Sequence, residues 1–161
     1  CLLSRGLGDV YKRQKYDYKS KKTLEKTLEI PKELREIRRN IMELFSDDIS
    51  RRPNQVIINR YLPGEGISEH VDSKLHFTDY IVAISLGSQC YMTFRKKTWS
   101  DDKDEETKYD ILLPRRSIIL MKNDARYNWS HEIVGRKHDK IDGEIVKRDT
   151  RYSITFRRIK K

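Results

Sequence analysis

The chain has 161 residues, 36% of them hydrophobic, with 35 Lys and Arg against 25 Asp and Glu for a formal charge of +10. That length supports one domain with its own core and excludes any need for a disulfide framework or structural zinc; the two cysteines, Cys1 and Cys90, have no paired spacing, which fits a reducing compartment, cytoplasmic or, in a eukaryote, nuclear. Charged residues break every apolar run well short of the ~18 residues of a membrane-crossing helix, so no membrane partner is expected, and the basic excess favours polyanions.

Residues 1–14 begin without Met, show no clear period and resemble translated adaptor sequence, so they are set apart as a non-native segment, with the natural N-terminus expected to be missing. Residues 15–52 make a second segment. Its first part, 15–26, is Lys-rich and polar and is expected to be a poorly packed arm. Pro31 then stands where a first helical turn tolerates proline, and Leu34, Ile37, Ile41, Leu44 and Phe45 recur at helical spacing. This helix is expected to lay an apolar stripe on the core and to show Arg35, Arg38 and Arg39 to solvent.

Residues 53–161 read as β structure. The runs 55–61, 80–86, 90–95, 109–113, 117–121, 130–134 and 150–158 are short, β-rich and separated by turn residues. Seven or eight strands preceded by a helix predict a mainly β fold, a two-sheet jelly roll or double-stranded β-helix with the helix packed outside. The acidic interval 98–106 is expected to be a solvated hairpin loop, and 137–148 a charged loop turning at Asp142-Gly143.

Chemistry concentrates after the first of these strands. The run Val56-Ile57-Ile58 leads through Asn59-Arg60-Tyr61 into the turn Pro63-Gly64-Glu65-Gly66 and then His70-Val71-Asp72. Residues two apart on a strand share a face, so His70 and Asp72 can offer an imidazole nitrogen and a carboxylate oxygen to one point. One further imidazole would complete the two-His, one-carboxylate set of non-haem Fe(II) oxygenases, which leaves three coordination positions open. Of the other histidines, His131 precedes the apolar Ile133-Val134 and can return on a strand beside His70, which makes it the best third ligand. His138 lies among charges and reads as surface loop, while His76 is a substrate-side group or simply exposed. On the last strand, alternation puts Arg151, Ser153, Thr155 and Arg157 on one face. Two guanidiniums on the inner face of a barrel are costly unless they meet anions, and a dicarboxylate is what two such forks bind.

The ordered set Asn59-x-Tyr61, His70-x-Asp72, Arg126-Tyr127-x-Trp129-x-His131 and Arg151-x-Ser153-x-x-x-Arg157 resembles the AlkB family of Fe(II)- and 2-oxoglutarate-dependent dioxygenases over roughly 53–159. Within the family, the segments 61–64, 77–88 and 113–117 look most like the branch containing the tRNA wobble-uridine hydroxylase domain. The resemblance implies His70, Asp72 and His131 as iron ligands, with 2-oxoglutarate and O2 as cosubstrates. It assigns Arg151, with Tyr61, to the distal carboxylate of 2-oxoglutarate, and Arg157 and Asn59 to the carboxylate nearer the iron. The family often has Asn where this chain has Ser153, and the DNA-repair members commonly have a further acidic residue where it has Lys74.

The implied activity is hydroxylation or oxidative demethylation of a modified or alkylated base in RNA, tRNA or DNA, by a monomer. Arg51, Arg52, Arg115, Arg116 and Lys122 are candidates for the phosphate backbone, and Tyr127 and Trp129 for the pocket wall or the core. The competing readings are the same chemistry on a protein side chain or small molecule, and a non-catalytic nucleic-acid-binding jelly roll. The last leaves Arg151 and Arg157 without a reason.

Overall fold

Strands with an apolar side every second residue must bury that side, and here two antiparallel sheets bury it against each other. The computed structural model describes residues 8–12, 14–17, 22–26, 29–45, 52–100 and 103–160, with side chains described for 29–45, 52–96 and 106–160. In chain order the elements are β1 (Gly8–Lys12), β2 (Gln14–Asp17), β3 (Lys22–Lys26), α1 (Lys32–Phe45), β4 (Gln55–Tyr61), β5 (Ile67–His70), β6 (Phe77–Gly87), β7 (Cys90–Ser100), β8 (Lys103–Leu113), β9 (Ser117–Lys122), α2 (Asn123–Tyr127), β10 (Ser130–Ile133), β11 (His138–Ile141), β12 (Glu144–Lys147) and β13 (Arg151–Ile159). The larger sheet runs β1-β4-β13-β6-β9 and the smaller β5-β10-β7-β8, while β2-β3 and β11-β12 are separate two-stranded ribbons. This is the jelly roll that the strand pattern predicts. Among the described residues no helix is long and apolar enough to cross a membrane.

The core has two layers. Between the sheets, Ile81 and Met121 meet Cys90, Met92, Phe94, Leu113 and Ile133. On the far side of the larger sheet, Ile30, Leu34 and Ile41 pack on Val56, Tyr80, Val82, Ile154 and Phe156, which places α1 outside the roll. The expected apolar stripe of α1 stops early: Leu44 is 69% and Phe45 39% exposed, because the final turn finds no cover among the described residues. Arg38 is half-buried rather than solvent-facing and donates to the Pro53 carbonyl at 3.2 Å.

Within the interval 98–106, the described residues 98–100 and 103–106 are strand rather than loop. β7 and β8 stay paired through Thr98↔Glu105 to Ser100↔Lys103. A ribbon is held by its backbone partners, which polar side chains do not remove, so polar composition does not end it. The interval 137–148 is likewise the β11–β12 ribbon, turning where expected: Asp142 and Gly143 have φ of 50° and 89°, the positive values that a two-residue hairpin turn requires. A buried pair holds this ribbon down, with Arg148 donating to both Asp139 oxygens and, at 2.8 Å, to the Val134 carbonyl. The residues set apart and the polar arm contribute backbone pairs: β1 lies against β4, and β2 against β3.

Candidate active site

Two sequence segments far apart in the chain supply one cluster because β5 and β10 are antiparallel neighbours in the smaller sheet, with His70 directly opposite His131. The two rings lie 4.4 Å apart at 54°. Asp72, two residues past His70, brings its Oδ2 to 3.8 Å from His131 Nε2. The three ligand atoms lie within 4.8 Å of one another, close enough to share one ion.

The turn before β5 is what allows this closeness. A methyl group on Gly66 would lie 2.1 Å from the Ile133 carbonyl oxygen and 2.7 Å from Gly135 N, so only glycine lets the turn press against the end of β10. Gly64 N donates to the Arg136 carbonyl at 3.2 Å, and Glu65 Oε2 accepts from Leu62 N at 2.7 Å, closing the turn on itself.

Protonation follows from surroundings. A carbonyl can only accept, so the 2.8 Å contact of His70 Nδ1 with the Ser68 carbonyl puts a proton on Nδ1 and makes Nε2 the nitrogen that can be offered to a metal. Burial, reinforced by His70, holds the His131 pKa down to about 4 against the pull of Asp72, so this imidazole is neutral at pH 7 and its contact with Asp72 is not an ion pair. For Asp72 burial acts in the opposite direction, favouring the acid. The charge of Arg157, with His131 and His70 adding to it when they carry a proton, outweighs it and keeps the carboxylate below its ordinary range. Two imidazoles and one carboxylate, with His131 neutral and Asp72 ionised, suit a divalent metal.

Behind this cluster lies the inner face of the larger sheet. Register aligns Tyr61, Arg151 and Gly87 in one row, Asn59, Ser153 and Ser85 in the next, and Gln55, Arg157 and Ile81 in the last. Arg151 and Arg157 are 4% and 5% exposed and Ser153 is buried beside Asn59. Arg151 Nε donates to Ser85 Oγ at 2.9 Å and its guanidinium stands 5.4 Å over the Tyr61 ring. Arg157 Nε donates to Gln55 Oε1 at 2.9 Å, Nη1 to Asp72 Oδ1 at 2.7 Å, and the group sits 4.0 Å over Phe77. Five buried atoms on this face, Gln55 Nε2, Asn59 Oδ1, Ser117 Oγ, Arg151 Nη1 and Arg157 Nη2, have no partner. Each such atom costs about 1–3 kcal/mol. Their concentration beside a metal-type cluster, with donors and cationic groups in the majority, fits a small polycarboxylate that would satisfy them together.

The structure brings His70, Asp72 and His131 into one cluster and sets Asn59, Tyr61, Arg151, Ser153 and Arg157 on the sheet face behind it. It also divides Arg157 in a way that was not expected, one nitrogen on Asp72 and one unpaired. Ser85, Gln55 and Ser117 were missed. The first two are polar intrusions at the inward register of otherwise apolar strands, a signal that appears only once the register is known. His138 is exposed on β11, and His76 contacts Ser73 Oγ at 2.7 Å rather than joining the cluster. Trp129 donates to Asp124 Oδ2 at 2.7 Å and lies 5.5 Å from the Tyr109 ring, packing against the inter-sheet core. Arg52, Arg115, Arg116 and Lys122 are exposed, and Arg51 lies outside the described residues.

A family model described as the 2OG-Fe(II) oxygenase superfamily matches residues 2–157. The chain is similar to Uncharacterized protein L905 of Acanthamoeba polyphaga mimivirus, 41% identical over 131 residues, covering 81% of this chain and 59% of that protein. It is also similar to tRNA (carboxymethyluridine(34)-5-O)-methyltransferase ALKBH8 of Mus musculus, 32% identical over 157 residues, covering 86% of this chain and 23% of the relative. The chain therefore spans less than two thirds of either relative. Among solved structures, that of OsALKBH1 superimposes with a TM-score of 0.51 at 14% identity, covering 96% of this chain and 81% of that one, a likeness of fold.

Proposed function

Because the chain belongs to the 2OG-Fe(II) oxygenase superfamily and, within it, to the AlkB family, we propose that it hydroxylates or oxidatively demethylates a modified or alkylated nucleic-acid base, with tRNA the first substrate to test. The observation that carries this is the juxtaposition of His70, Asp72 and His131 with two buried guanidiniums, Arg151 and Arg157, that each keep an unpaired nitrogen.

In this reading His70 Nε2, His131 and Asp72 hold Fe(II), and Arg151 Nη1 and Arg157 Nη2 take the two carboxylates of 2-oxoglutarate, with Tyr61, Asn59 and Ser153 beside them. Bound together with O2, that set supplies oxidation of a substrate C–H bond coupled to decarboxylation of the cosubstrate to succinate and carbon dioxide. A hydroxylated N-methyl group then collapses to release formaldehyde, while a carbon-bonded methylene stays hydroxylated. The protein's own work is positional and electrostatic. Arg157 keeps Asp72 anionic, Ser68 holds a proton on His70 Nδ1, and burial keeps His131 neutral, so neither Asp72 nor His131 must lose a proton before a cation binds.

A nucleic-acid substrate is supported by the charge of +10 and by the exposed Arg52, Arg115, Arg116 and Lys122. A target base must leave its stack to reach a buried metal cluster, which single-stranded loops of RNA allow at little cost. The name of the mouse relative concerns carboxymethyluridine at tRNA position 34, which puts tRNA ahead of DNA as a first test. The test is mass spectrometry of nucleosides from total tRNA and from alkylated DNA after incubation with Fe(II), 2-oxoglutarate and O2. A nucleoside that gains one oxygen or loses a methyl group with wild type but not with His70→Ala supports the reading. Unchanged nucleosides alongside succinate formed on methylated peptides would move the substrate to protein.

A further inference from the structure

Arg126 is 2% exposed, yet none of its hydrogen bonds reaches a carboxylate. Its fork is spent on backbone: Nη1 donates to the Asp72 carbonyl at 2.9 Å, Nη2 to the Ser73 carbonyl at 3.1 Å and Nε to the Thr78 carbonyl at 3.2 Å. Two consecutive carbonyls held by the two ends of one planar group fix the orientation of the peptide unit between them. That unit follows directly on the Asp72 carboxylate. The residue sits in α2, five positions before His131, so one side chain joins the two segments that supply the three candidate ligands.

The rest of α2 is anchored from the other side. Asp124 accepts from Asn128 Nδ2 at 2.7 Å, from Trp129 Nε1 at 2.7 Å and from Lys96 Nζ at 3.0 Å, and its carbonyl accepts from Asn128 N at 2.8 Å. The path from Arg126 to β10 is therefore stiff, and the loop after β5 is tied to it. Arg157 meets the Asp72 carboxylate from the larger sheet, while Arg126 meets the Asp72 carbonyl from α2. Backbone and side chain of one residue are thus fixed by two different arginines.

We propose that Arg126 is a positioning residue that holds the Asp72 backbone so that its carboxylate stays directed at the point shared with His70 and His131. The inference rests on the reading of these three residues as metal ligands. Lysine at this position keeps the charge but has a single nitrogen that cannot span three carbonyls at fixed angles, so Arg126→Lys separates the fork from the charge.

The test is equilibrium binding of Co(II), followed by its d–d absorption, to wild type, Arg126→Lys and Arg126→Ala, with thermal midpoints measured on the same samples. Both variants are expected to bind about 10- to 100-fold more weakly, the usual range for groups that orient a metal ligand. Ile41→Ala, a core change under α1, serves as a control: it is expected to lower the midpoint while leaving Co(II) affinity at the wild-type value. Ethylguanidinium added to Arg126→Ala is expected to recover part of the affinity where ethylammonium does not. Wild-type affinity in Arg126→Lys overturns the proposal, as does a chain that fails to fold with lysine there, since the guanidinium would then serve the fold rather than the site. Failure of wild type itself to bind Co(II) instead overturns the metal-ligand reading.

Discussion

Arg157 Nη1 lies 2.7 Å from Asp72 Oδ1, with the two side chains 7% and 12% exposed. The Asp72 carboxylate is thus already paired with a guanidinium from the larger sheet, so Arg157 joins the cluster of His70, Asp72 and His131 to the face behind it. Removing one member of a buried pair strands the other charge, at a cost of about 3–5 kcal/mol. Arg157→Met is expected to destabilise the metal-free protein by that order in urea unfolding. Asp72→Asn combined with Arg157→Met is expected to recover a large part of it. Additive losses in the double variant would mean that the pair is not what holds the charge.

Acid should weaken the metal-free fold in a defined window. His131 has its pKa lowered from 6.5 to about 4, so in that interval the unfolded chain binds a proton that the folded chain refuses. Stability from this group is therefore complete above pH ~6.5 and is lost as pH falls towards 4, a change of about 3 kcal/mol. Asp72, also held below its usual value of 3.8, adds stability that is present above that pH and lost as pH falls further. Urea midpoints measured against pH should fall steeply below 6.5 in wild type and more gently in His131→Gln. Parallel curves would remove His131 as the cause.

Of the two arginines on the inner face, Arg157 is paired with Asp72 while Arg151 donates to Ser85 Oγ and keeps Nη1 without a partner. A hydrogen bond to a charged group contributes about 1.5–3 kcal/mol. Arg151→Ala is expected to weaken 2-oxoglutarate binding by about 10- to 100-fold while leaving Mn(II) affinity near wild type. Calorimetric titration of each ligand separates the two. Equal loss of both would place Arg151 in the fold rather than at the cosubstrate.

Gly66→Ala tests the contact between the turn and the end of β10. The added methyl group meets backbone, the Ile133 carbonyl at 2.1 Å, and backbone cannot swing aside as a flexible side chain can. The turn must shift, and β5 with it, at a cost of about 1–3 kcal/mol. The expected outcome is a lower thermal midpoint together with weaker Co(II) binding, since His70 rides on β5. A lower midpoint with unchanged affinity would show that the turn supports the fold without aligning the ligand.

What the amino-acid sequence determined by itself was local and periodic. Alternation located most strands, helical spacing located α1, Asp142-Gly143 located a turn, and His70-x-Asp72 put two donors on one face, because each depends on residues only a few positions apart. The same local reasoning failed at 98–106, where strand pairing continued through polar sequence, and at Leu44 and Phe45, where helical spacing continued past the surface that α1 covers. Tertiary structure alone decided what lay across sheets. It set His131 opposite His70, divided Arg157 between Asp72 and an unpaired nitrogen, placed Ser85 and Gln55 against the two arginines, and spent the Arg126 fork on three carbonyls. Those relations join residues as far as 102 positions apart, and they are fixed by strand register and by the need of buried charge to find a partner. Neither leaves a periodic trace in the chain.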